Sequence, residues 1–371
     1  MPGAGEAIMR RSLNFVTLIM SCALLTGCVT SAQKPVVLGP LVFPPPPEQP
    51  RFTFERTVTS SADLVKEDKE TRMRRLLTGE GADGGVGFSK PFDVVACQGT
   101  IYVSDSVARV VMSFNVPQAK YSQIGRVEPG RVAKPLGLAA DGECNLYVVD
   151  ATQSRIVIFD SAGNYLNAIG GKEHFDRLSH VAVDSAGTRI FAVDTGGVQS
   201  EEHKIKVFDV SSGERLYDIG TRGSEEGQLN LPRDIAMGPD GLLYIVDGGN
   251  FRVQVFEQDG TFVRQFGSVG RAFGQFARPK GIALDAEGNC YVSDTSHGNF
   301  QIFTPEGQLL LFVGSRSESA GRAKYMLPAG VDVDEDGRVY MVDQYFRKLD
   351  IFRPSALAET EGLIGPWAVT E

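Results

Sequence analysis

The sequence predicts an all-β chain folded as a six-bladed β-propeller with four-stranded blades, and three observations carry that prediction. An aromatic-x-x-Asp phrase recurs, ending at Asp105, Asp150, Asp194, Asp247, Asp294 and Asp343. The intervals are 45, 44, 53, 47 and 49 residues, a period typical of stacked supersecondary units. Phe follows the Asp by nine residues in five copies, at Phe114, Phe159, Phe256, Phe303 and Phe352. In the third copy Phe208 arrives five residues late, across the insertion TGGVQSEEHK. A turn glycine precedes each phrase: Gly99, Gly142, Gly187, Gly241, Gly288 and Gly337.

Each copy then reads as strand A (PKGIALD), a glycine turn, strand B (LYIVD), strand C (FRVQVF), a second turn and strand D (TFVRQFG). Such a sheet is apolar on both faces and hides neither alone. Stacking the sheets around an axis buries both. The last copy stops after strand C, at LDIFRP. RFTFERTVTS (51–60), ahead of the first copy, reads like the other D strands. Residues 51–60 are therefore expected to complete blade six, clasping the chain ends and leaving no long unpaired edge. SADLVKEDKETRMRRLLTG (61–79) reads as a helix, with Leu64, Met73, Leu76 and Leu77 on one face and Gly79 as C-cap. The propeller spans 51–353. The tail 354–371, which holds the only Trp, Trp367, has no place in the repeat.

Residues 1–27 read as a signal peptide. Arg10 and Arg11 precede an apolar stretch from Phe15 to Leu25, too short to span a bilayer but suited to secretion. Leu25-Thr26-Gly27-Cys28 resembles a bacterial lipobox. That resemblance implies cleavage before Cys28 and lipidation (palmitate) of its thiol and new amino group. Val29, not Asp, follows the Cys, which implies the outer membrane rather than the inner one. Several acyl chains make a stable anchor. Residues 28–50, with PPPP, read as the lipidated Cys and an extended, Pro-rich tether. The expected address is the bacterial cell envelope.

Composition narrows the partners. With 37 Lys+Arg against 46 Asp+Glu the formal charge is −9, and no basic cluster stands out along the chain. Nucleic acid is not expected, because its binding rests on neutralising phosphates. Once Cys22 leaves and Cys28 is lipidated, Cys97, Cys144 and Cys290 remain. In an oxidising compartment that suggests one pair and one buried thiol. Cys97 and Cys144, near the A–B turns of adjacent blades, are the candidate disulfide.

GSVGRAFGQFARPKGIALDAEGNCYVSD together with NFRVQVFEQDGTFVRQFG resembles NHL repeats, over roughly residues 88–353. Relatives of that kind include RNA-binding propellers, sensor domains of bacterial receptor kinases, and a zinc-dependent amidating lyase. The whole chain also resembles bacterial lipoproteins known only as six-bladed propellers. The lyase places zinc histidines directly after the Pro that opens strand A. Here those positions are Phe92, Leu136, Ser179, Arg233, Lys280 and Ala329. None is His, so that activity is not implied.

Residues that repeat speak of fold; those that break the repeat are the better functional candidates. The recurring Asp, and the basic residues Arg155, Lys204, Arg252 and Lys348 four before the Phe, read as structural partners. DVDEDG (332–337) with Asp343 has EF-hand spacing, but six residues of strand hold its two ends about 20 Å apart. The residue just before the apolar core of strand A is expected to ring the channel: Asp93, Gly137, His180, Asp234, Gly281 and Gly330. The glycines are expected to leave space there. Arg233 and Lys280 lie beside this ring, and B–C loops add Asn250, His297 and Tyr345.

The expected function is non-catalytic, with no cofactor. The tethered propeller would act as a scaffold for an envelope protein or glycan, contacted through the insertion 195–204 and the loops on this face. The alternative is a metal-assisted hydrolase or lyase. In it Asp93, His180 and Asp234 would bind a divalent ion such as Ca or Zn, and Arg233 or Lys280 would steady an anionic substrate.

Overall fold

Backbone pairing divides the chain into six blades. The structure is a computed structural model and describes residues 39–65, 73, 77, 85–365 and 367. Residues 1–40 and 41–371 form separate compact units, and the propeller is the second of them. The signal peptide, the lipobox and Cys28 lie outside the described residues.

Strand A of blades one to six is Pro91–Cys97, Pro135–Ala140, Leu178–Val183, Pro232–Met237, Pro279–Leu284 and Pro328–Val333. Each opens an antiparallel A-B-C-D sheet. Strand B is largely apolar, as in LYVVD and LYIVD, and buried in every blade save for the exposed Arg189 that opens it in blade three, since a neighbouring sheet covers each face. The core is accordingly six separate clusters, one between each pair of adjacent blades. The repeated Phe114, Phe159, Phe208, Phe256, Phe303 and Phe352 all sit in it, each worth about 1.5–3 kcal/mol of burial.

Blade six closes the ring. Phe52–Val58 pairs antiparallel with Lys348–Pro354, from Phe52 opposite Pro354 to Val58 opposite Leu349. The pleat puts Phe54 against Phe352, ring centroids 5.5 Å apart. The tether reading of 28–50 fails at its C-terminal end. Val42–Phe43 pairs with Phe52 and Thr53 as a fifth strand, and the proline run that follows is the turn between these two strands. The edge it covers would otherwise be open.

The helix expected over 61–79 is reduced, among the described residues, to a 3-10 turn at Ser61–Asp63 and the helical residues Met73 and Leu77. The rest of 66–84 lies outside the described residues. Of the residues expected on one face, Leu64 is buried while Met73 and Leu77 are exposed, and Leu76 lies outside the described residues. The tail, unassigned from sequence, is a second clasp. Ile364 and Trp367 are buried against Val58, Leu64 and blade one. The Trp367 indole donates to the Asp63 carbonyl at 2.7 Å, and the Arg56 guanidinium lies 4.6 Å over its ring. Cys97 and Cys144 are bonded, Cα atoms 5.8 Å apart, joining blades one and two; Cys290 is a buried free thiol.

The recurring Asp ends strand B, and in every blade its carboxylate accepts from backbone amides just ahead of strand A. Asp105 takes Ser89 and Lys90; Asp194 takes Asp176 and Arg177; Asp294 takes Ala277 and Arg278. The expected basic partner holds only for Arg252, 2.9 Å from Asp247. Lys204 pairs with Glu202 and Asp218 while Lys206 takes Asp194, Lys348 pairs with Asp350, and Arg155 donates to the Arg131 carbonyl. The backbone amides already satisfy the carboxylate, so a cation is optional.

Arg338 binds closing strand, last blade and tail together. Its fully buried guanidinium meets Glu55 at 3.0 Å and Asp336 at 3.2 Å, and donates to the Glu361 carbonyl at 2.7 Å. Arg338→Ala would leave the buried Glu55 carboxylate with Arg56 alone, at 3.7 Å. We expect a stability loss of about 3–5 kcal/mol, read as a lower urea midpoint; an unchanged midpoint would show that the clasp carries no stability.

Candidate functional site

The six A strands enclose a narrow axial channel of about 160 Å³, into which Asp93, Asp234 and Asp332 project. The three glycines of the ring do not leave space, contrary to the expectation from sequence. A Cβ on Gly330 would lie 2.1 Å from Asp93 Oδ1, one on Gly137 2.5 Å from the His180 Cα, and one on Gly281 2.6 Å from the Ala329 carbonyl. Glycine stands there because the neighbouring blade's backbone already fills the volume.

The carboxylates are engaged from blade to blade. Asp93 Oδ2 accepts the Leu138 amide at 2.8 Å, Asp234 Oδ2 the Ile282 amide at 3.0 Å, and Asp332 Oδ2 the Ala96 amide at 2.7 Å. They staple blade one to two, four to five and six to one. In the sequence Asp332 stands out only as part of the EF-hand spacing of DVDEDG; its place inside strand A is the signal that would find it. Burial pushes Asp93 up to about 7 and Asp332 up to about 8. Burial, then the charge of Asp93, raises Asp234 well above the usual carboxylate range.

Above the carboxylates the channel is filled from within. Phe92 stacks against His180, ring centroids 5.4 Å apart, and Lys280 Nζ lies 4.6 Å from the same Phe92 ring. His180 is buried with Nδ1 unpartnered. Burial, then the charges of Lys280 and Arg233, depresses it to about 3, so it is neutral. Burial lowers Lys280 to about 8. Among the described residues no three His, Cys, Asp or Glu side chains gather so as to hold a metal ion. Asp93, His180 and Asp234 are thus not a metal centre: two serve as backbone acceptors and the third is wedged against Phe92.

The loop residues do not join this group. Asn250 donates to Gly223 and Asp247 within blade four. His297 lies 3.5 Å from Asp294. Tyr345 is exposed beside Phe346 on the B–C loop of blade six. The residue immediately before strand A, overlooked in the sequence, is Lys90, Lys134, Arg177, Leu231, Arg278 or Leu327 by blade. The strand-B Asp clamps the amide of each of these basic residues, Lys134 by way of Asp150 at 3.1 Å, and all four are exposed at the mouth. None of these four, nor Arg233 or Lys280, is ion-paired among the described residues.

Residues 229–256 match the family model described as NHL repeat. The chain is a six-bladed β-propeller of the NHL-repeat type. It is 49% identical over 49 residues to RING finger protein nhl-1 of Caenorhabditis elegans, covering 13% of this chain and 5% of that one. The chain thus spans a small part of that relative's length. A Bacteroides thetaiotaomicron protein of unknown function has a TM-score of 0.58 at 17% identity, covering 82% of this chain and 76% of its own. A streptogramin B lyase gives 0.53 at 12% identity, over 72% and 94%. At such identity these two likenesses speak for the fold alone.

The channel groups set a pH dependence. Asp93 and Asp332 hold protons in the folded state that the unfolded chain releases near about pH 4. The folded chain therefore binds more protons, and stability falls as pH rises toward their folded values of about 7 and 8. His180 acts oppositely, but only below about pH 6.5. Between about pH 6.5 and 8 the urea midpoint should fall, and Asp332→Asn should flatten that slope. An equally steep slope in the variant would show that Asp332 is ionised throughout.

Proposed function

We propose that this protein is a cell-envelope lipoprotein whose propeller is a binding and scaffold module for a protein or glycan partner. The partner docks on the face where the D–A and B–C loops open. The observation that carries this reading is the contrast at the mouth. The carboxylates inside the channel are spent on holding blades together, while Lys90, Lys134, Arg177 and Arg278 on its rim have no ion-pair partner among the described residues. Buried polar groups with their hydrogen bonds made are structural. Exposed, like-charged groups held by clamped backbone are available for contact at little conformational cost.

The tripartite N-terminus supports the address, with paired arginines, a short apolar segment and Leu25-Thr26-Gly27-Cys28. Lipid at Cys28 would keep the propeller at the membrane surface, probed by palmitate labelling. Cys28→Ser should abolish label and move the protein from the membrane to the soluble fraction; continued sedimentation with membranes would remove the lipoprotein reading.

The docking face is tested separately in intact cells. A photo-crosslinking side chain in place of Tyr345, exposed on the B–C loop of blade six, should give discrete adducts. The same group in place of Ala286, exposed on an A–B turn at the opposite face, should give few. Adducts from Ala286 alone, or from neither site, would overturn the assignment.

A further inference from the structure

Cations gather at one mouth of the channel, although the outer loops of the same face also carry Glu173, Asp176, Glu225 and Glu226. The chain is acidic, at −9, and its A–B turns carry Asp141, Asp184, Asp285 and Asp334, each of which accepts amides of its own turn. The opposite face gathers cations at the channel mouth from four blades: Lys90, Arg177, Arg233, Arg278 and Lys280. They lie close enough to act on one another. Burial, then the charges of Arg177 and Arg278, depresses Arg233; burial depresses Lys280, opposed by Asp93 and reinforced by Arg278, Arg233 and Lys90. Asp93 acts as a counter-charge at Lys280, but its Oδ2 is already committed to Leu138.

Two further features shape what fits. Leu231 and Leu327 occupy the same register position as the cations in blades four and six, and Phe92 lies on the axis beneath Lys280. Apolar side chains therefore interrupt the positive charge at blades four and six. The basic surface also extends outward. A cavity of about 300 Å³ between blades one and two is lined by Arg109, Arg126 and Arg131, with Glu128 the one acid. Its walls come from the B–C and D–A loops, so it opens on the same face.

We propose that this mouth is a receptor site for an acidic glycan, in which carboxylate or phosphate groups are spaced by uncharged sugar rings. The cations take the anionic groups, arginine in bidentate fashion, and the apolar positions take ring faces. Spaced charge matches cations set one blade apart. A dense phosphate chain would also meet the net negative charge of the rest of the protein. This inference rests on the binding-module reading and names its ligand.

The test is titration of the full lipidated chain in neutral detergent with polygalacturonate and with a phosphomannan. Dextran, polyglutamate and a single-stranded oligothymidylate serve as comparators. At least one acidic glycan should bind, dextran should not, and affinity should fall with added salt. Arg177→Ala with Arg278→Ala should weaken binding at least tenfold while leaving the urea midpoint unchanged, since both side chains are exposed and unpaired. Lys120→Ala, exposed on a C–D turn of the other face, should have no effect. Equal affinity for polyglutamate or oligothymidylate through the same two arginines would overturn the glycan assignment, as would undiminished binding by the double variant. If neither glycan binds while Tyr345 still crosslinks in cells, the site falls and the binding module stands. If crosslinking fails as well, both fall.

Discussion

One buried carboxylate per blade organises this molecule. Asp105, Asp150, Asp194, Asp247, Asp294 and Asp343 are fully buried at the end of strand B. An isolated charge there would be costly to desolvate. Each is tolerated because backbone N–H groups point at it, from the segment ahead of strand A and, in every blade but the fourth, from the B–C loop as well. Charge-assisted bonds of this kind are roughly twice as strong as neutral ones. The result is a loop face held by the same atoms in each blade. The side chains at its rim are placed by backbone geometry, not by their own contacts.

Channel and rim divide the work between them. Inside, the A strands approach so closely that Gly137, Gly281 and Gly330 accept no side chain, and Asp93, Asp234 and Asp332 reach across to the next blade's amides. The interior is thus a fastening. Outside, the Lys or Arg ahead of strand A is clamped through its backbone by the strand-B Asp, and its side chain makes no ion pair among the described residues. Four blades place Lys or Arg there, and mutual repulsion is the cost. A protein can hold such a face because the clamp supplies the stability the side chains do not.

Closure shows the same economy. The fold needs every sheet covered on both faces, so the terminal blade cannot stand open. Phe52–Val58 completes it, Val42–Phe43 covers the new edge, and Arg338, Ile364 and Trp367 bind the tail across the seam. Blade five meets that seam with Leu311 and Val313 of its strand Leu309–Val313.

What the sequence determined by itself was the repeat and hence the architecture. Blade number, strand order and the partner of the incomplete last copy follow from Asp, Phe and Gly at fixed intervals, because burial on both faces of a sheet leaves that pattern along the chain. Only the tertiary structure decided the site. Asp93, His180 and Asp234 share a register position, and sequence alone cannot tell whether glycines between them open a space or admit a neighbour's backbone. Nor does a linear reading reveal that Lys90, Arg177 and Arg278, dozens of residues apart in an acidic chain, face one opening. The order of residues records what each strand must bury; which charges meet is set by the closing of the ring, a long-range constraint that no local pattern carries.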